Sequence, residues 1–182
     1  MSVDGFVAGP KGELDWMTWD HDDKLNEFIN VLTDSSDTIL LGRKMTDGFV
    51  NYWENIVNNQ PESPEFSFAK KMVDIPKIVF TKTLDESKWN NTTLAKGNLA
   101  DEIANLKKQK GKDIVVYGGA GFVSSLIKEG LIDEFHLFIN PIAIGKGLTI
   151  FSDLPDKLKL KMTKSKKYDC GIIVNSYVSK LD

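Results

Sequence analysis

Asp37-Thr38-Ile39-Leu40-Leu41-Gly42-Arg43-Lys44 is the stretch on which the reading of this chain turns. Thr38 to Leu41 form a short apolar run without polar alternation, the pattern of a strand covered on both faces. Gly42 ends the run, and two cations follow where a helix opens. Two further runs have the same form. Ile78-Val79-Phe80 is entered after Pro76, and Asp113-Ile114-Val115-Val116-Tyr117 is closed by Gly118-Gly119. Helical patterns lie around and between these strands. Leu25, Phe28, Ile29 and Leu32 recur at helical spacing behind acids at Asp20, Asp22 and Asp23, where the helix dipole favours negative charge. Ser63 then Pro64 reads as an N-cap and first helical residue leading to Phe68, Ala69 and Met72. Asn98 caps a helix with Leu99, Ile103 and Leu106 on one face, ending near Gly111. Phe122, Val123, Leu126 and Ile127 mark another, stopped by Gly130.

The last quarter changes character. Ile132 to Ile139 is strand-like, Leu158, Leu160 and Met162 alternate with lysines, and Ile172 to Tyr177 is strand-like again. Asp169-Cys170-Gly171 supplies turn chemistry between the final two. One wet face and a lysine-rich edge suit antiparallel strands. The sum is an α/β chain with a largely parallel central sheet, helices on both sides and an antiparallel C-terminal hairpin. At the other end, Met1-Ser2-Val3-Asp4-Gly5 reads like the exit from a strand whose body is missing.

Composition narrows the function classes. The 182 residues hold 41% hydrophobic and 27% charged side chains, which predicts one globular domain over 1–182. The net charge of −3 lacks the basic footprint of nucleic-acid binding. No apolar run approaches the ~20 residues of a membrane span, and the start carries no signal-peptide pattern. Cys170 is the single cysteine, so no internal disulfide framework exists. His21 and His136 have no carboxylate or second histidine at ligand spacing, so no metal is expected. The expectation is a soluble, cytoplasmic protein acting on a small molecule.

Open α/β sheets bind ligands beyond the carboxyl ends of their strands, which makes the residues after each strand the candidates. Gly42-Arg43-Lys44 offers close backbone approach and two cations for a phosphate, or else two solvated charges. Tyr117-Gly118-Gly119-Ala120-Gly121-Phe122 offers backbone N–H groups at a helix start for a pyrophosphate, or else only a tight turn. Thr81-Lys82-Thr83 adds hydroxyls and a cation. Trp16, Trp19, Tyr52 and Trp53 could wall an aromatic pocket, though core packing is the default for such rings.

Taken in order, these segments resemble the dihydrofolate reductase-like proteins. The nearer likeness is to the reductase domain of the bacterial bifunctional riboflavin-synthesis deaminase–reductase and its stand-alone relatives. The matching pieces are Ser2 to Ala8, Leu14-Asp15-Trp16, Asp37 to Lys44, Pro76 to Thr81 and Val116 to Gly121. They continue through Gly130 to Glu134, Asn140-Pro141-Ile142 and Gly145-Lys146-Gly147 to Phe151. The resemblance implies a three-layer sandwich with a mixed, mostly parallel sheet, an NADPH cofactor and a homodimer. It implies Val7 and Ala8 beside the nicotinamide, Gly42, Arg43 and Lys44 with Thr81 at the 2′-phosphate, and Gly118, Gly119, Ala120, Gly121 and Phe122 around the pyrophosphate. On the substrate side it leaves Asp4, Trp16 and Asp22 as candidates. The implied chemistry is hydride transfer to a C=O or C=N carbon of a small heterocyclic or sugar-linked substrate. A genuine dihydrofolate reductase and a non-catalytic nucleotide-binding module are the alternatives. Met45-Thr46-Asp47-Gly48-Phe49 departs from the riboflavin enzyme's substrate loop, and the chain shows no deaminase domain.

Overall fold

The computed structural model describes residues 1–179. The chain divides into two compact units, one formed by Ile29–Phe122 and the other by Met1–Phe28 with Val123–Asp182. Helix α1 (Asp23–Asp34) precedes the first strand, β1 (Ser36–Gly42). There follow α2 (Arg43–Asn59), α3 (Phe66–Asp74), β2 (Lys77–Phe80), β3 (Thr92–Ala95), α4 (Leu99–Lys107), β4 (Asp113–Gly118) and α5 (Ala120–Lys128). The chain then runs through β5 (Glu134–Ile139), β6 (Leu160–Lys167) and β7 (Ile173–Ser179). Among the described residues no helix is long and apolar enough to cross a membrane.

The unit from Ile29 to Phe122 is built on a four-stranded sheet ordered β3-β2-β1-β4, with every pair parallel. The unbroken apolar run is explained by its place: β1 is interior to the sheet, and Ile39, Leu40 and Leu41 are all buried. Ile39 and Leu41 pack with Val50, Met72, Val79 and Trp89, and Met45, Phe49, Trp53 and Phe68 close around them. Strand β3 went unseen in the sequence because Thr92-Thr93-Leu94-Ala95 has no apolar run. Pairing with β2 in the register Lys77↔Thr92 to Phe80↔Ala95 makes it a strand.

Two helix starts compare differently with expectation. Asn98 caps α4 as read, its side chain accepting from the backbone N–H groups of Ala100 and Asp101, but the helix stops at Lys107, short of Gly111. Ser63 and Pro64 do not open α3. The Ser63 carbonyl accepts from Phe66 N–H and its hydroxyl from Glu65 N–H, forming a turn, and the helix begins at Phe66.

In the other unit β7 lies between β5 and β6, and both pairings are antiparallel. Gly171, at φ +92°, provides the left-handed turn between β6 and β7. Ile127, Phe135 and Ile150 form the core with Val7, Val123, Leu137, Leu160 and Tyr177. Helix α5 ends as its glycine predicts. Gly130 N–H donates to Ile127 and Leu131 N–H to Leu126, with Gly130 at φ +66°. The amino terminus is no regular strand, but its backbone pairs with the stretch after β5. Asn140 N–H donates to the Met1 carbonyl and Val3 N–H to Ile142.

Candidate functional site

The order of the parallel strands selects one place for a ligand. The chain steps outward from β1 to β2 to β3, then returns to lay β4 on the opposite side of β1. Such a reversal opens a crevice beyond the carboxyl ends of the two strands that flank it. Those ends are Gly42 on β1 and Gly118 on β4, and Leu41 and Gly118 are register partners. A Cβ built on Gly42 would lie 2.8 Å from the Phe122 Cβ and 3.3 Å from the Gly119 nitrogen. Both glycine corners therefore share one site, and only a side chain of hydrogen fits between them. Gly118 has φ +132°, and the Gly118-Gly119 peptide is cis. The Phe122 ring lies on Phe80 of β2 with centroids 4.9 Å apart, walling the corner with apolar surface.

Helix α2 starts at this corner without a side-chain cap, since its N-cap is Gly42. Its first turn holds Arg43 and Lys44, both exposed, and no acid. Cations at the positive end of a helix are electrostatically misplaced unless an anion joins them. Asp47, one turn on, is already engaged. It accepts from Trp89 Nε1 at 2.9 Å and from Lys88 Nζ at 2.8 Å. Lys88 chiefly, then the indole, and lastly the charge of Arg43 hold its carboxyl below the usual range, against a smaller opposing effect of burial. Nothing in the sequence pattern singled out Asp47, Lys88 and Trp89 as partners at this corner, although Arg43 and Asp47 stand at the i,i+4 spacing of a helical ion pair. Thr81 is buried, and its hydroxyl accepts from the N–H groups of Thr83 and Leu84, so it shapes its own loop. Helix α5 begins at Ala120, and its first turn, including Gly121 and Phe122, also carries no acid.

The remaining candidates lie in the other unit. Val7 N–H donates to Leu148 and Leu148 N–H to Ala8, both at 2.8 Å, so Val7-Ala8 is pinned as a short antiparallel bridge. A Cβ on Gly147 would meet the Ala8 oxygen at 2.2 Å, which makes that glycine obligatory. Asp4 accepts from Gly145 N–H at 2.7 Å and Ile144 N–H at 3.2 Å. A hydrogen bond from Ser2 and these two amides hold its carboxyl below the ordinary range. Asp22 accepts from Cys170 N–H and from Leu25 N–H, both at 3.0 Å, tying the β6–β7 turn to the start of α1. The Cys170 amide is the main cause of its lowered pKa. Both carboxylates are thus ionised acceptors at neutral pH rather than proton donors. Trp16 donates its indole N–H to the Glu13 carbonyl at 3.2 Å and is half-buried. His136 faces Ser176 at 2.9 Å and packs edge-on against Phe28, as a satisfied structural histidine does.

The comparisons with known proteins agree with this architecture. YyaP of Bacillus subtilis (strain 168) is 35% identical over 173 residues, which cover 95% of this chain and 88% of that protein. A solved structure from Shewanella sp. PV-4, carrying a riboflavin-biosynthesis designation, matches all of this chain and 96% of its own with a TM-score of 0.75 and 26% identity. The Thermotoga maritima diaminohydroxyphosphoribosylaminopyrimidine deaminase/5-amino-6-(5-phosphoribosylamino)uracil reductase matches 98% of this chain with a TM-score of 0.67 and 18% identity. This chain spans 54% of that larger protein. The fold is dihydrofolate reductase-like, with a parallel four-stranded and an antiparallel three-stranded sheet. The model of the RibD C-terminal domain matches residues 1–174, and the chain belongs to that family.

Proposed function

We propose that this protein is an NADPH-dependent reductase of the 5-amino-6-(5-phosphoribosylamino)uracil reductase type, reducing a C=O or C=N group of a small heterocyclic or sugar-linked substrate. The observation that carries the reading is the uncapped start of α2, bearing Arg43 and Lys44, at the same corner as the β4–α5 glycines. The donor set fits the cofactor. Helix α2 starts without a side-chain cap at a corner that tolerates no Cβ on Gly42, and two cations stand where a ribose-borne phosphate has no rival acid in the first turn. NADPH, when bound, supplies the hydride. The residues of this chain bind and orient: Arg43 and Lys44, following Gly42, would hold the 2′-phosphate, and the Gly118 to Phe122 turn packed against Gly42 would lie along the diphosphate. Phe80 and Phe122 wall the corner against water. Asp4 and Asp22, already ionised and engaged, serve as structural acceptors.

Calorimetric titration tests the assignment. NADPH binds more tightly than NADH, and Arg43→Ala weakens NADPH by roughly 10- to 100-fold, the worth of one charge-assisted hydrogen bond, with little effect on NADH. Equal binding of the two nucleotides, with Arg43→Ala neutral, sinks it. The engagement of both carboxylates favours a second reading, a nucleotide-binding module without turnover. Steady oxidation of NADPH in the presence of the phosphoribosylamino-pyrimidine eliminates that alternative.

A further inference from the structure

Arg43 and Asp47 stand four residues apart on α2, so their side chains share one face of the helix. Such a pair can close on itself, and a guanidinium spent on a carboxylate is withheld from an incoming phosphate. Among the described residues, however, Arg43 makes no ion pair. Asp47 gives Oδ1 to two groups of the β2–β3 connection instead. Lys88 Nζ donates to it at 2.8 Å and Trp89 Nε1 at 2.9 Å. Lys88 is the first influence on that carboxyl and the charge of Arg43 the last.

The connection holds these two groups by different means. Trp89 is 8% exposed and packs in the core with Ile39, Leu41 and Val50. Its backbone N–H donates to Ser87 Oγ at 3.3 Å, and its carbonyl accepts from the same hydroxyl at 3.1 Å. The indole is therefore a fixed donor, but a neutral one, and it leaves the carboxylate's charge in place. Lys88 supplies the cancelling charge from an exposed side chain, with Nζ also 5.3 Å from the centroid of the Trp89 ring. Its removal takes nothing from the core.

We propose that Lys88 is a positioning residue for the phosphate corner: by pairing with Asp47 it leaves Arg43 free and cancels the acid one turn away, and so strengthens the preference for a nucleotide bearing an extra phosphate. The inference rests on the reductase reading and concerns how that site chooses its cofactor. It makes Asp47, once unpaired, the antagonist, which separates it from a Lys88 that touches the phosphate itself or merely steadies its loop.

Calorimetric titration of NADPH and NADH against four proteins tests this. Wild type prefers NADPH. Lys88→Met weakens NADPH by about three- to fivefold, the upper range for an exposed ion pair, and leaves NADH within about twofold. Asp47→Asn binds NADPH at least as tightly as wild type. The double variant Lys88→Met/Asp47→Asn returns NADPH to within about twofold of wild type, because the antagonist is gone. Loss of the Trp89 indole N–H shift between wild type and Asp47→Asn, with the resonance assigned by its absence in Trp89→Phe, contradicts the contact on which the pairing is built. Lys88→Met that binds NADPH like wild type, or a double variant as weak as Lys88→Met, overturns the inference and leaves the cofactor reading standing. Wild type that binds neither nucleotide, or both alike, overturns the cofactor reading and the inference with it.

Discussion

Lys77 opens β2 with 3% of its surface exposed, and its Nζ donates to the carbonyls of Val73 at 2.8 Å and Ile75 at 2.7 Å. These carbonyls lie at the end of α3, where a cation is favoured by the helix dipole. Burial nonetheless dominates and lowers its pKa to about 8, with Glu54 and Asp74 pulling the other way. The sign of the linkage follows. Between pH 8 and the unfolded value near 10.5 the unfolded chain holds a proton that the folded chain has lost, so this residue makes stability rise with pH across that window. A neutral amine keeps two hydrogens, one for each carbonyl. Urea denaturation from pH 8 to pH 10 therefore shows wild type gaining stability relative to Lys77→Met. Parallel curves for the two proteins contradict the assignment. Asp22 obeys the opposite rule: its lowered pKa contributes stability above the unfolded value, lost as pH falls through the folded one.

Helix starts and strand ends are the elements that make the site. The β1–α2 and β4–α5 junctions converge because β1 and β4 are neighbours, and their glycines have distinct duties. Gly42 lacks a side chain because the Phe122 Cβ and the Gly119 nitrogen fill its space. Gly42→Ala is expected to cost about 1–3 kcal/mol, as overpacking does. Gly48, inside α2, meets nothing within 4 Å of a built Cβ and has no left-handed backbone. Gly48→Ala is expected to gain about 0.5–1 kcal/mol, the helix-propensity difference. Chemical denaturation of the two variants gives shifts of opposite sign, and equal shifts would mean the corner is not packed as described.

For the molecule as a whole, ligand binding and stability are one equilibrium. If the proposed function holds, NADPH at 100 times its Kd would stabilise the folded chain by about 2.7 kcal/mol, whatever the residues that hold it. Thermal melting is then expected to rise with NADPH, and the rise to shrink in salt because Arg43 and Lys44, the proposed phosphate ligands, are exposed and their charge is screened. The double variant Arg43→Ala/Lys44→Ala should lose most of the rise together with its salt dependence. A salt-independent rise would place the cofactor on apolar contacts instead.

The sequence by itself determined the local chemistry. Thr38 to Leu41 were legible as a doubly covered strand, Asn98 as a cap, Gly130 as a helix stop and Gly171 as a turn, because each depends on neighbours within a few residues. It also marked Gly42, Arg43 and the Gly118-Gly119 turn, since a strand followed by glycine and a helix start is a local pattern. Strand β3 was hidden, because its pairing energy comes from a partner strand and not from its own residues. The late start of α3 was hidden too, as Ser63 caps a turn and a helix with the same hydroxyl chemistry. Only the tertiary structure decided that β4 lies beside β1, which joins two glycine corners far apart in the chain. It alone showed that Asp22 and Asp4 are engaged as acceptors, and that the Tyr117 ring rests on Phe49 with its hydroxyl beside Thr33. Strand order and side-chain partnership are properties of segments distant in sequence, and no pattern within a single segment encodes them.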